Sequence, residues 1–327
     1  MNKKRLAFSI IFSILFLCFV FIQVPFKEVI HVLVDANPFW LIVAITVLGL
    51  TITLTGIRWN QVLHALHLRL PFYQVIRATW YGHFFNTILL GPAAGDVLKS
   101  TILAKERDLS LAELLSASWL DRLLAGVGSL VFGLLVLVFT LATNQEIPLE
   151  LPKTNPVFFV LGAFLLFLLF FIIKKSKIFE KIKILKKLKD SFLIATGKMY
   201  KTPGKTFFVI FLGCLGQILL SSVLAWTLAS VLQTSLPWLQ MLWVFPVIAM
   251  LSTLPISIGG VGVREGSSLV LLGTYGVSKP DAVAASLLCL CVYWLLAAVG
   301  GILILVGREK KVSKIGQVNP GSQASVQ

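Results

Sequence analysis

Charge is scarce in this chain. Of its 327 residues only 13% are Asp, Glu, Lys or Arg, while 57% are hydrophobic. Soluble proteins carry about 25% charged residues, so this balance excludes a water-soluble globule. Cysteine is sparse too: Cys18, Cys214, Cys289 and Cys291 all lie inside apolar runs and lack CxxC spacing. They offer neither a disulfide framework nor a thiolate metal site. A GxxxxGK[ST] loop, an HExxH helix and a GxSxG elbow are also missing, which leaves ATP hydrolysis, zinc proteolysis and serine-hydrolase chemistry without a carrier. His64 and His67, three apart in a basic loop with no acid beside them, read as interfacial residues and not as metal ligands. No metal, cofactor or catalytic residue is expected.

What the chain has in abundance is long apolar runs. Six clear ones fall at about 6–24, 39–57, 120–142, 156–173, 206–232 and 282–306, each long enough to cross a hydrocarbon layer about 30 Å thick as a helix. They are continuously apolar rather than alternating, which excludes a membrane β-barrel. The predicted class is an all-α polytopic membrane protein. Lys3, Lys4 and Arg5 precede the first run, but it is long and has no small-residue cleavage site, so it reads as a retained helix and not a signal peptide.

Two further regions are interrupted: 72–105 by Gly91, Pro92 and Gly95, and 239–276 by Pro255, Gly259, Gly260 and Gly262. With six helices crossing and the N-terminus inside, each region must enter and leave on one side. Their arms are short for crossings, since Asp96 to Ala104 reaches only about 14 Å as a helix. The expectation is therefore two re-entrant helical hairpins. This topology puts 23 of the 29 Lys and Arg on the cytoplasmic side, as the positive-inside bias requires, and makes the excess charge of +15 a membrane-orientation signal instead of a nucleic-acid signal. Both termini are then cytoplasmic, and the expected location is the inner (plasma) membrane of a bacterium.

The order helix, helix, broken hairpin, helix occurs over 1–142 and again over 156–306, with the second set starting from the opposite side. The halves are candidate inverted repeats, an architecture in which interrupted segments meet near the midplane and build a site. Between them a linker, 174–205, carries eleven lysines; Ile178, Ile182, Leu185, Leu188 and Phe192 recur in it at helical spacing, as in a helix lying on the inner leaflet. One transmembrane domain over 1–314 is expected, followed by a disordered polar tail, 315–327.

Ionisable residues within the broken segments are the candidate site, because charge in hydrocarbon is costly and faces a partner or a wet cavity. Asp96 and Lys99, three apart, share one helix face, and Asp96 suits an N-cap. Arg264 and Glu265 follow the second glycine run; as helical neighbours they are expected to point apart and to find different partners. Asp121 and Arg122 start the next long helix, where an interfacial pair accounts for them equally well. Asn86, Trp80 and Tyr81 are candidates to line the first arm, although an aromatic belt also explains the two aromatics. For Asp96 with Lys99, and for Arg264 with Glu265, a purely fold-stabilising ion pair stays open.

FFNTILLGPAAGDVLK (84–99), DRLLAG (121–126) and LPISIGGVGVREGSSLVLLGTYGV (254–277) together resemble the flippase-like family built around the transmembrane region of lysylphosphatidylglycerol synthase, of UPF0104 type. The resemblance implies a lipid-handling membrane domain. It places Asn86, Gly91, Pro92, Gly95, Asp96, Lys99, Asp121 and Arg122 on the first motifs and Pro255, Gly259, Gly260, Gly262, Arg264 and Glu265 on the last. The sequence shows no aminoacyl-transfer domain beside the membrane part, so the chain is not expected to make lysyl-phospholipid by itself, and a separate lipid-modifying enzyme is a candidate partner. The leading expectation is a translocator of a phospholipid or polyprenyl-phosphate-linked lipid, with membrane lipids bearing anionic or phosphate head groups as partners and no nucleic acid. The alternative is a membrane enzyme or enzyme partner in lipid-linked aminoacyl or glycosyl transfer, with Asp96 or Glu265 as general base.

Overall fold

The computed structural model describes residue 22 and residues 24–88, 94–142, 183–232, 243–252 and 260–316. The regular structure among them is helical: α1 (Phe26–Val34), α2 (Pro38–Ala65), α3 (Phe72–Ile88), α4 (Ala94–Arg107), α5 (Leu111–Ala142), α6 (Lys183–Tyr200), α7 (Pro203–Val231), α8 (Val244–Ser252), α9 (Val263–Gly273) and α10 (Lys279–Gly316). Four of these contain a stretch long and apolar enough to cross a membrane: Pro38–Ala65, Leu111–Val136, Pro203–Val231 and Lys279–Val306. The run at 6–24, apart from residues 22 and 24, and the run at 156–173 lie outside the described residues, as do the breaks Gly91, Pro92, Pro255 and Gly259, the linker positions Ile178 and Ile182, and the tail beyond 316.

Helix α2 illustrates how an apolar sequence rich in β-branched residues stays helical. Asn37 caps it, its side-chain oxygen accepting from the Phe39 amide at 2.9 Å, with Pro38 at the first helical position. Thr46, Thr51, Thr53 and Thr55 each donate a hydroxyl to the carbonyl four residues back, so their polar atoms are satisfied inside the helix and need no water. The helix runs to Ala65, well past the predicted end at 57, and Arg58 is therefore a helical residue and not part of a loop. The chain then turns at His67, whose φ is +63°.

Arg77 donates to Glu106 at 2.6 Å and Arg107 to Gln74 at 2.7 Å, while the Gly95 amide donates to Asn86 Oδ1 at 2.8 Å. These pairs fix α3 and α4 as an antiparallel hairpin. A second hairpin follows the same logic: Trp243 donates its indole N–H to the Tyr275 hydroxyl at 2.7 Å, and Gly260 abuts Ser252, so α8 and α9 are antiparallel. Long helix, hairpin, long helix thus occurs twice, as α2, α3/α4, α5 and as α7, α8/α9, α10.

Helix α7 packs along α2 and α5, and α10 packs against α3, α7 and α9. One apolar core joins Leu48 and Ile52 to Leu224, Leu228, Ile248 and Leu272. A second, at the other end of α2, joins Trp59 and Leu63 to Leu103, Leu114 and Phe192. Phe192, Ala195 and Met199 place one face of α6 in that second core, so the linker is helical over Lys183–Tyr200 and Phe192 of the expected stripe is buried. Only 28% to 39% of each spanning window is buried, and Val131, Leu134, Leu135, Trp294, Leu295 and Ile302 are exposed. Apolar side chains therefore face outward along much of the bundle, which suits hydrocarbon and not water.

Candidate functional site

The charged residues of the bundle gather in two clusters. In the first, α2, α4 and α5 meet. Arg58 donates a bidentate pair to Asp121, Nε to Oδ1 at 2.7 Å and Nη2 to Oδ2 at 2.9 Å. Asp96 takes two cations: Lys99 one turn on, with Nζ 2.9 Å from Oδ1, and Arg122, whose Nε donates to Oδ2. Lys99 also lies over the indole of Trp59, 4.1 Å from the ring centroid, a cation–π contact that is strongest when both groups are dry. Lys99 is 3% exposed and Asp121 2%, whereas the Arg122 side chain retains 40% of its exposure.

Local sequence explains this convergence. Neighbours on a helix point about 100° apart, so Asp121 reaches α2 while Arg122 reaches α4; they are not an interfacial pair with each other. Asp96 sits in the first turn of α4, which begins at Ala94, and does not cap it as expected; its oxygens are taken by Lys99 and Arg122. The hairpin can close here because Gly95 meets Gly82, where a Cβ would run into the Gly82 carbonyl and the Asn86 side chain.

Around this cluster lies a cavity of about 300 Å³. Arg58, Asp96 and Lys99 form its charged end; Asn86, His83 and Gln217 line its flank, and Leu48, Ile52 and Tyr293 are among its apolar lining residues. Gln217 accepts from Ser129 at 3.1 Å and donates to Ser221 at 3.2 Å, and the buried Nε2 of His83 has no hydrogen-bond partner. Among the described residues no group of three or more His, Cys, Asp or Glu is placed to hold a metal.

Arg264 and Glu265 form the second cluster. Contrary to the expectation that they point apart, Arg264 Nη2 lies 3.2 Å from Glu265 Oε1, and both reach Ser286 of α10: Arg264 donates to its hydroxyl at 3.1 Å, and that hydroxyl donates to Glu265 at 2.9 Å. The reason is the first turn of α9. Gly260 and Gly262 take φ of +79° and +87°, and the Gly262 amide donates back to Glu265 Oε2 at 2.6 Å, folding the carboxylate onto the turn where the long arginine can follow it. Both residues are buried, and neither lines the cavity. Tyr293, which does, stands within electrostatic range of Arg264.

Trp80 and Tyr81 turn to α10 instead: the backbone at Trp80 abuts Gly300, and the Tyr81 hydroxyl donates to the Leu303 carbonyl at 3.1 Å. Sequence reasoning missed Arg58, Trp59, His83, Gln217 and Tyr293. Only Arg58 left a signal, an arginine ending an apolar run.

A relative bears on this arrangement. A UPF0104 membrane protein of Pyrococcus horikoshii is 24% identical over 331 residues, covering 88% of this chain and 92% of its own length. The family model for the lysylphosphatidylglycerol synthase TM region matches residues 6–300, which include both clusters and both hairpins. This chain belongs to the lysylphosphatidylglycerol synthase TM region family and is a multi-pass membrane protein.

Proposed function

We propose that this protein is a lipid translocator of the flippase-like kind, moving a phospholipid or polyprenyl-phosphate-linked lipid between leaflets of an inner (plasma) membrane. One observation carries the reading: the cavity joins a charged end, Arg58, Asp96 and Lys99, to apolar walls within a bundle whose outer surface is itself apolar. Polar residues kept inside a bundle at this cost mark a path for a polar group. A head group fits the charged end while its chains stay in lipid. Catalysis is not part of the reading, and a separate lipid-modifying enzyme is its candidate partner.

The topology proposed with it has six spanning helices, cytoplasmic termini and two re-entrant hairpins. Helices α4 and α9, with 14 and 11 residues, reach about 21 and 17 Å at 1.5 Å per residue, short of a layer about 30 Å thick. The repeated order of long helix, hairpin and long helix favours inverted halves, with both hairpins seated on α10.

The test is translocation of a fluorescent phospholipid in reconstituted vesicles, read by quenching of the outer leaflet. Lys99→Met keeps Asp96 paired with Arg122 and leaves an apolar chain over Trp59, so the fold survives. A rate at least about tenfold below wild type is expected, from the loss of one charge-assisted contact. Equal rates in the two proteins, or no translocation by the wild type in any lipid tested, overturn the proposal.

A further inference from the structure

Hydrogen-bond acceptors in the cavity are already occupied or neutral. Asp96 is the one acid among its described lining residues, and its two oxygens are taken by Lys99 and Arg122. Asp121, behind Arg58, is held bidentately, and Gln217 Oε1 accepts from Ser129. Thr51, Thr55 and Thr79 have given their hydroxyl hydrogens to carbonyls four residues back, so each keeps only a neutral oxygen. His83 Nε2 has no partner but is buried beyond the reach of water. Among the described residues, therefore, no acceptor facing the cavity carries a free negative charge.

Donors, by contrast, are left over. Arg58 commits Nε and Nη2 to Asp121, while a Cβ on Gly216, a cavity-lining residue, would stand 3.8 Å from its Nη1. Asn86 accepts from the Gly95 amide through Oδ1, which fixes which way its carboxamide lies and leaves the Nδ2 hydrogens for another partner. Neither Arg58 Nη1 nor Asn86 Nδ2 has a hydrogen-bond partner among the described residues. Unpaired donors inside a membrane bundle call for an acceptor-rich ligand, and phosphate oxygens are one. An ammonium entering the same space meets Arg58 and Lys99, finds no free carboxylate, and leaves its own hydration behind.

We infer that the cavity selects lipids whose phosphate head group carries no ammonium, and that Asn86 binds the phosphate oxygens beside Arg58. Ethanolamine and aminoacyl head groups are rejected. Asn86 is the selecting residue on α3: Asn86→Asp keeps an oxygen for the Gly95 amide and exchanges the Nδ2 donors for negative charge. This rests on reading the cavity as a head-group site, but it is a claim about occupancy and is tested without transport.

The test uses the full chain with its four native cysteines replaced by alanine. Thr55→Cys then lines the cavity, and its reaction with a small maleimide is slowed by whatever fills the space. Phosphatidylglycerol, phosphatidylethanolamine and N-acetylated phosphatidylethanolamine with the same acyl chains are titrated in a neutral detergent. The first and third, which lack an ammonium, should half-protect the cysteine at about a tenth of the concentration that phosphatidylethanolamine needs, the value of one charge-assisted contact. In Asn86→Asp the gap should close to within about twofold, with the melting temperature reporting the fold; the comparison of the three lipids on the Asn86 protein decides alone if that variant does not fold. Equal protection by all three lipids, or a gap that a folded Asn86→Asp leaves unchanged, overturns the inference. So does an N-acetylated lipid that protects no better than its parent, which would make the glycerol group and not the missing ammonium the criterion. Half-protection by free glycerol phosphate at the same concentration as the lipids makes the ligand a soluble anion and also overturns it. Protection by none of them removes the head-group reading and the inference together. A tenfold gap in a protein whose vesicles translocate nothing keeps the inference and removes the transport reading alone.

Discussion

Arg58 is the residue that hydropathy alone misplaces. A guanidinium at the end of an apolar run looks the same in sequence whether it starts a loop or ends a span, and what decides is a partner 63 positions away, Asp121. Both groups are buried, so each depends on the other. Asp121→Asn leaves Arg58 charged and short of its counter-ion, with an expected cost of about 3–5 kcal/mol, whereas replacing both by apolar residues of similar volume, Arg58→Met with Asp121→Leu, costs far less. Thermal unfolding in detergent should show the single variant well below wild type and the double variant recovering most of the loss; a double variant as unstable as the single one would deny the coupling. Asp96 and Lys99 were legible because their spacing is local. Arg122 with Asp96 was not, since nothing in the sequence brings α5 to α4.

Of the breaks read from the sequence, Gly95, Gly260 and Gly262 begin the second arms of the two hairpins, where close backbone approach or a positive φ requires glycine. The pairing of the arms could not be read, since it rests on contacts such as Gly95 with Gly82 and Arg107 with Gln74 that have no periodic signature. Gly95→Val tests this contact at the scale of the element. Its side chain would enter the space of the Gly82 carbonyl and the Asn86 amide, forcing α3 and α4 apart and breaking the 2.8 Å bond from the Gly95 amide. Overpacking of this kind costs about 1–3 kcal/mol, and because Asn86 and Asp96 both line the cavity, translocation should fall along with the melting temperature. Gly197→Val, in open space on α6, is the control and should alter both much less. In the second hairpin the sequence pointed to the right glycines but to the wrong geometry for Arg264 and Glu265, because helical spacing places Cβ atoms and not the ends of long side chains that share one serine.

For the molecule as a whole, the question is how far the hairpins reach. The open ends of the first hairpin are fixed side by side through Arg77 with Glu106 and Arg107 with Gln74, so Tyr73 and Lys105 must face the same compartment whatever its identity. The informative positions are the tips. The proposed topology has α6, with Lys186, Lys187, Lys189 and Lys198, on the cytoplasmic side, and the loop before α10, with Ser278, opposite. With the four native cysteines replaced by alanine, single cysteines at 73, 105 and 186 should react with a membrane-impermeant maleimide from the cytoplasmic side alone, and one at 278 from the other side alone. Thr87→Cys and Ser252→Cys then sit at the two tips. If the hairpins stop near mid-membrane, both react slowly from either bulk phase, and added phospholipid that fills the cavity slows Thr87→Cys more than Ser252→Cys, because α3 lines that cavity and α8 does not. A tip cysteine that reacts at the rate of an exposed loop from the compartment opposite its open end means a full crossing. The inverted relation between the halves would survive, since two full crossings also return the chain to its starting side, but the meeting of two half-length hairpins near mid-membrane would be lost, and with it the half-way site from which a lipid could leave to either leaflet.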